Sequence, residues 1–178
     1  MRLSVDAHAS IAFLAGASLG PKSGCDVTLV QKGRVGARDW RADDKLDGLE
    51  FDVSASVVGR GPDLLVAIGA THDVRPAAEA YARKRRLRTG SLLDFRPAAG
   101  PGGAALAGGA HAARLADQVT REIRAARTDP DAVVHLFAAC PTPSCTSSAS
   151  RTAASPPSSF TSSTSTAGAA NRTSPRFS

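Results

Sequence analysis

The run Asp131-Ala-Val-Val-His-Leu-Phe-Ala-Ala-Cys-Pro141 sets seven apolar residues around one histidine and stops at a proline. It is too short and too evenly apolar for an amphipathic helix. It reads as a strand buried on both faces, as at the centre of a parallel sheet. A second run, Asp63-Leu-Leu-Val-Ala-Ile-Gly-Ala-Thr-His-Asp73, reads the same way. In open α/β sheets ligands gather at the carboxyl ends of such strands. The two strand ends, at Thr71-His72 and at Ala139–Pro141, are therefore the expected place of function, although neither carries a catalytic motif.

A chain of 178 residues is long enough for one domain with a real core. The formal net charge is +6, of which Arg151, Arg172 and Arg176 carry three, leaving +3 for residues 1–141. That balance suits a small anionic ligand and does not demand nucleic acid. Cys25, Cys140 and Cys145 are odd in number and form no CxxC pair, so neither a zinc site nor a disulfide framework is expected. No metal or cofactor is expected, and a reducing cytoplasm is the expected compartment. No apolar run is long enough to span a membrane.

In chain order, residues 6–19 predict a helix that Asp6 caps and Gly20-Pro21 ends; Asp6 and His8 argue against a signal peptide. Gly20-Pro-Lys-Ser23, with Gly16 before it, is one residue short of a P-loop and follows a helix where a strand is needed, so it is rejected. Residues 27–31 alternate like a strand. Trp40 lies in a polar stretch, 34–47, where its ring either stacks on a base or covers an edge of the core. Residues 49–58 predict a strand with Phe51, Val53, Ala55 and Val57 on one face, and Gly59-Arg-Gly-Pro62 turns the chain. After the strand 64–70, Thr71-His-Asp-Val74 opens a helix to Arg86 with Asp73 as N-cap. A hydroxyl and an imidazole on such a turn make either an anion site or ordinary capping chemistry. Arg83-Lys-Arg-Arg86 reads as a solvated basic face that complements the helix dipole. A strand at 91–96, a flexible Gly/Ala-rich loop at 97–109 and a helix at 110–127 follow, the last with Ala113, Leu115, Ala116, Val119 and Ile123 inward.

The second half is thus a β-α-β-α-β run, which implies right-handed crossovers and an α/β, Rossmann-like, mostly parallel sheet flanked by helices. No GxSxG, HExxH or Walker motif is present. Residues alone support a small-ligand-binding α/β domain and no more.

Ser10-Ile-Ala-Phe-Leu-Ala-Gly16, Lys22-Ser-Gly24, Asp26-Val27, Val30-Gln31, Trp40, Ile68-Gly-Ala-Thr-His-Asp-Val74 and Val134-His-Leu-Phe-Ala-Ala-Cys-Pro141 occur in an order that resembles the SAVED domain, "SMODS-associated and fused to various effectors". Each motif is weak alone; the ordered set, over roughly residues 5–141, is fairly specific. The resemblance implies a tandem of two CARF-like, Rossmann-type halves. It implies binding of a cyclic oligonucleotide second messenger in bacterial antiviral (CBASS) defence, ligand-driven self-assembly into a homo-oligomer, and control of a fused effector such as a nuclease. No effector segment precedes residue 5, so output activity is expected outside this chain. Lys22, Trp40, Thr71 and His72 are the expected ligand-binding residues, through phosphate contacts and base stacking; no catalytic residue is expected. The alternative is a nucleotide- or sugar-processing α/β enzyme with His72 as acid/base, or a nonfunctional fragment.

The domain is expected to span residues 1–141. Residues 142–178 are half Ser and Thr, with no Ile, Leu, Val or acid, a composition that predicts a disordered tail. It replaces the family's closing strand, which ends near Leu-Tyr-Glu-Phe-Asp, and suggests that the reading frame slips after Pro141. With one choice of synonymous codons, Ser158-Ser-Phe-Thr-Ser-Ser-Thr-Ser-Thr-Ala167 read two bases later gives Val-Leu-Tyr-Glu-Phe-Asp-Phe-Asp-Arg.

Overall fold

The computed structural model describes residues 2–4, 28–33, 36–41, 44, 48–102, 105–140 and 161–162. Strands β1 (Arg2–Ser4), β2 (Thr28–Gly33) and β3 (Gly36–Trp40) form a small sheet in which β1 is parallel and β3 antiparallel to β2. Strands β4 (Phe51–Val57), β5 (Asp63–Gly69), β6 (Thr89–Pro97), β7 (Val134–Ala139) and β8 (Thr161–Ser162) form the main sheet in the order β4-β6-β5-β7-β8. All of its pairings are parallel except that of β4 with β6. Helices α1 (Arg75–Arg85) and α2 (Gly109–Ala126) supply the crossovers between β5, β6 and β7.

The core follows from the centre strand. Leu64, Val66 and Ile68 point to one face of the sheet, where they meet Leu93, Phe95 and, from α2, Ala112, Leu115 and Val119. Leu65 and Ala67 point to the other, against Leu92, Phe137 and, from the α1 region, Val74, Ala78 and Ala82. One apolar cluster on each face makes a helix-sheet-helix sandwich. Burying each large side chain contributes roughly 1.5–3 kcal/mol, and Phe95 is fully buried.

Strand β5 is buried on both faces, as its sequence predicts. Strand β7 is not: His135, Phe137 and Ala139 are buried while Val134, Leu136 and Ala138 are half-buried. Its outer neighbour is the two-residue β8, so it has less cover than the centre strand. Strand β4 forms where the alternation predicts it, but of its apolar side only Phe51 is buried. Val53 and Val57 are exposed because β4 is the edge strand. Strand β3 was not expected in a polar stretch; its main chain pairs with β2 whatever the side chains are. The expected helix at 6–19 lies outside the described residues.

Both helices begin and end within two residues of their predicted bounds, with two corrections. The N-cap of α1 is Val74, one residue after the expected Asp73, and it makes no side-chain cap. Asp73 still serves the helix start, since its Oδ1 accepts the Arg75 N–H at 2.9 Å. On α2, Ala113 is only half-buried, whereas the polar His111 and Gln118 are buried. Gln118 accepts the Phe51 N–H at 2.8 Å and donates to the Phe51 carbonyl at 2.9 Å, tying the start of β4 to the helix. His111 Nδ1 accepts the Ala107 N–H at 3.1 Å, so the ring donates from Nε2 to the Leu49 carbonyl at 2.8 Å. Buried polar groups satisfied in this way are structural.

Candidate functional site

The parallel register of β5 and β7 runs from Leu64↔Val134 to Gly69↔Ala139, which brings the two predicted strand ends side by side. The chain continues the pairing one step further. Thr71 donates its N–H to the Ala139 carbonyl at 2.8 Å and its hydroxyl to the same oxygen at 3.2 Å. With the hydroxyl proton used there, the 3.2 Å contact between Thr71 Oγ1 and His72 Nδ1 is a hydrogen bond donated by the ring. His72 is exposed, and its Nε2 has no partner among the described residues.

The loop after β6 closes the third side. Gly102 donates its N–H to the Ala70 carbonyl at 3.0 Å, which hangs the glycine-rich turn at 97–102 beside Thr71. A Cβ at Gly100 or Gly102 would meet nothing within 4 Å, so the main chain there faces open space. The expected flexible loop is therefore a rim of the strand-end cleft.

Below the rim lies a chain of ion pairs. Arg96 joins Asp94 at 2.8 Å and Asp73 at 3.0 Å; Arg75 reaches Glu79 at 2.9 Å and Asp94 at 3.9 Å. The side chain of Asp94 is 3% exposed, and these arginines offset the cost of burying it. Its hydrogen bond to the Arg96 guanidinium, with the nearby charges of Asp94 and Asp73, raises that group's pKa above its ordinary value. Asp73 is committed to the Arg75 N–H and to Arg96 and makes no contact with the imidazole beside it. His72 thus lacks the carboxylate that would orient it as an acid/base catalyst. Among the described residues no three His, Cys, Asp or Glu side chains gather into a metal site.

Of the four expected ligand-binding residues, Thr71 and His72 stand together at the cleft, and Lys22 lies outside the described residues. Trp40 belongs elsewhere: it is 4% exposed and packed in the cluster of Phe51, Phe95 and Leu115. Its ring offers no free face to a base, so the core reading holds and the stacking role does not. Asp94 and Arg96 were missed; their two-residue spacing on a strand puts both on one face, which an inspection for charge pairs along β6 would have caught.

The comparisons with known proteins bear on the family and the fold. The CD-NTase-associated protein 4 of Enterobacter hormaechei subsp. hoffmannii (strain UCI 50) is 36% identical over 141 residues, which is 79% of this chain and 28% of that protein. Among solved structures, the Acinetobacter baumannii Cap4 SAVED/CARF-domain containing receptor with the cyclic trinucleotide 3'3'3'-cAAA has the same fold, with a TM-score of 0.66 and 14% identity over 85% of this chain and 33% of that one. The same receptor with 2'3'3'-cAAA gives a TM-score of 0.60 and 14% identity over 85% and 32%. The chain thus spans a third or less of the length of these relatives. Among the described residues no helix is long and apolar enough to cross a membrane. Residues 1–151 match the SMODS-associated and fused to various effectors sensor domain, and the chain belongs to this SAVED family.

Proposed function

We propose that this chain is the ligand-sensing part of a cytoplasmic receptor that binds a cyclic oligonucleotide at the joined carboxyl ends of β5 and β7. The observation that carries the reading is the pairing of Thr71 with Ala139, which sets a hydroxyl and an exposed imidazole under an open glycine rim. The relatives' cyclic trinucleotides support the ligand class. With its proton donated from Nδ1 to Thr71, the imidazole presents Nε2 as an acceptor suited to a ribose hydroxyl or a base N–H of such a ligand. Binding shifts the chain toward a homo-oligomer, and the response is carried by an effector outside this chain. The domain binds without turning the ligand over, because His72 lacks an orienting carboxylate and no nucleophile is activated beside it. Calorimetric titration with cyclic di-, tri- and tetranucleotides tests this. At least one should bind and be recovered intact by chromatography. Linearised product that disappears in His72→Ala would establish the enzyme instead.

The same proposal extends to residues 142–178, which we infer to be the product of a shifted frame replacing a closing strand. The abrupt change of composition after Pro141 supports it. So does the position of β8: Thr161 and Ser162 pair in parallel with His135 and Leu136, inside the segment whose shifted reading contains Tyr-Glu-Phe. The nucleotide sequence decides. An open shifted frame should restore soluble expression when repaired, and early stop codons there would end the idea.

A further inference from the structure

Along α1, from Arg75 toward the opposite end of the sheet, runs a second feature that the sensing cleft at Thr71 and His72 does not use. A groove of about 560 Å³ runs between α1 and the end of β4 and is lined by Arg60, Arg75, Arg83, Arg86 and Arg88 with a single acid, Glu79. Arg75, Glu79 and Arg83 lie on one stripe of α1 and Arg86 stands at its C-cap, so the charged wall follows the helix for about 12 Å at 1.5 Å per residue and continues to its end. Glu79 is already engaged by Arg75 and Arg83. Arg60, Arg86 and Arg88 have no acidic partner among the described residues. The basic cluster read as a solvated face is therefore divided: Arg83 and Arg86 line the groove, while Arg85 lies over the Tyr81 ring.

The groove is built, not incidental. Arg60 and Arg88 sit on two segments whose main chains lock together, with the Gly61 N–H donating to the Thr89 carbonyl and the Asp63 N–H to the Arg88 carbonyl. A Cβ on Gly61 would fall 1.7 Å from the Arg88 oxygen, so only glycine permits this approach. Arg86 closes α1 in the left-handed conformation, φ 51° and ψ 44°, a position at which glycine is the usual residue. It is the only residue other than glycine with positive φ among the described residues. An arginine held in so unfavourable a conformation at the rim of an arginine-lined groove points to a use for its charge.

We propose that this groove binds the phosphodiester backbone of a linear nucleic-acid strand, without reading its sequence. Guanidinium groups match phosphate geometry and stay charged at all working pH. None of the lining residues is aromatic, so the groove lacks a platform on which bases would stack, and it contacts backbone alone. It starts at Arg75, four residues after Thr71, and runs along α1 to the amino ends of β5 and β6, where Arg60, Arg86 and Arg88 stand about one strand length, roughly 20 Å, from Thr71, so a strand and a cyclic ligand could be held together.

Fluorescence-anisotropy titration of the whole chain with a labelled short oligothymidylate tests this at about 50 to 200 mM salt. With three free arginines, log K should fall against log salt with a slope of about −2, at roughly 0.7 per phosphate neutralised on a single strand. The variant Arg60→Ala, Arg86→Gly, Arg88→Ala should bind at least tenfold more weakly with a slope near zero. Arg86→Gly supplies the residue that suits the left-handed position, so it removes charge without weakening the fold, and its melting temperature should not fall. Thr71→Val with His72→Ala should leave strand binding unchanged. Unchanged affinity in the triple variant would overturn the proposal, as would equal competition by polyglutamate. Displacement of the strand by a cyclic trinucleotide would also overturn it, and would move the sensing site to the groove without abolishing sensing.

Discussion

At the amino ends of β5 and β6 the main chain is packed against itself, with Gly61 and Gly90 each too close to a neighbouring carbonyl to accept a side chain. At the carboxyl ends of the same strands Gly100 and Gly102 face open space. The charges differ in the same sense. Acids and arginines at the carboxyl end are joined in a neutralised chain, Asp73-Arg96-Asp94-Arg75. The amino end displays Arg60, Arg86 and Arg88 without acidic partners among the described residues. The lesson is that one sheet can offer two unlike surfaces. Topology makes one of them, because loops must leave the carboxyl ends. The other is made by close backbone packing that fixes where charges stand.

Four substitutions sharpen or break this contrast, and each is read by melting temperature and denaturant titration. Trp40→Ala should cost the most, about 3–5 kcal/mol, because it empties a packed site in the core. A loss of cyclic-ligand affinity at unchanged stability would instead move the ring to the carboxyl-end site. Gly61→Ala should cost roughly 2–4 kcal/mol, since main chain and not a flexible side chain must move. A small effect would mean that the amino end is not locked. Arg96→Ala should cost about 1–3 kcal/mol by leaving the buried Asp94 with only the more distant Arg75. Gly102→Ala should stay within about 0.5 kcal/mol, as the added Cβ would meet nothing within 4 Å. If Gly102→Ala and Gly61→Ala were equally harmful, the two ends would not differ as described.

Much of this architecture was legible in the sequence, and for identifiable reasons. Strand β5 is short, continuously apolar and bounded by turn residues, so its place at the sheet centre could be read directly. Helix α2 carried the 3.6-residue pattern, α1 was placed by the turn that follows β5, and the closing of Thr71 onto Ala139 followed from placing both strands in one parallel sheet. What was missed depended on partners far along the chain. Trp40 looked exposed because its neighbours in sequence are polar, while its neighbours in space are Phe51 and Phe95. Gln118 and His111 were not among the residues read as facing inward, yet they are buried and bond the main chain at Phe51 and Leu49. The arginine groove was invisible because Arg60 is 26 positions before Arg86, and only the backbone lock brings them together.

The central claim is that the cleft at Thr71 and His72 recognises a cyclic oligonucleotide. The most direct measurement is the calorimetric affinity of the whole chain and of its Thr71→Val, His72→Ala variant for the cyclic ligand that binds best. Thr71→Val keeps the shape and the main-chain bond to Ala139 and removes only the hydroxyl. The account predicts at least a tenfold loss of affinity in the double variant, about 1.4 kcal/mol or more, with a melting temperature close to that of the parent chain. Equal affinities in two equally folded proteins would contradict it.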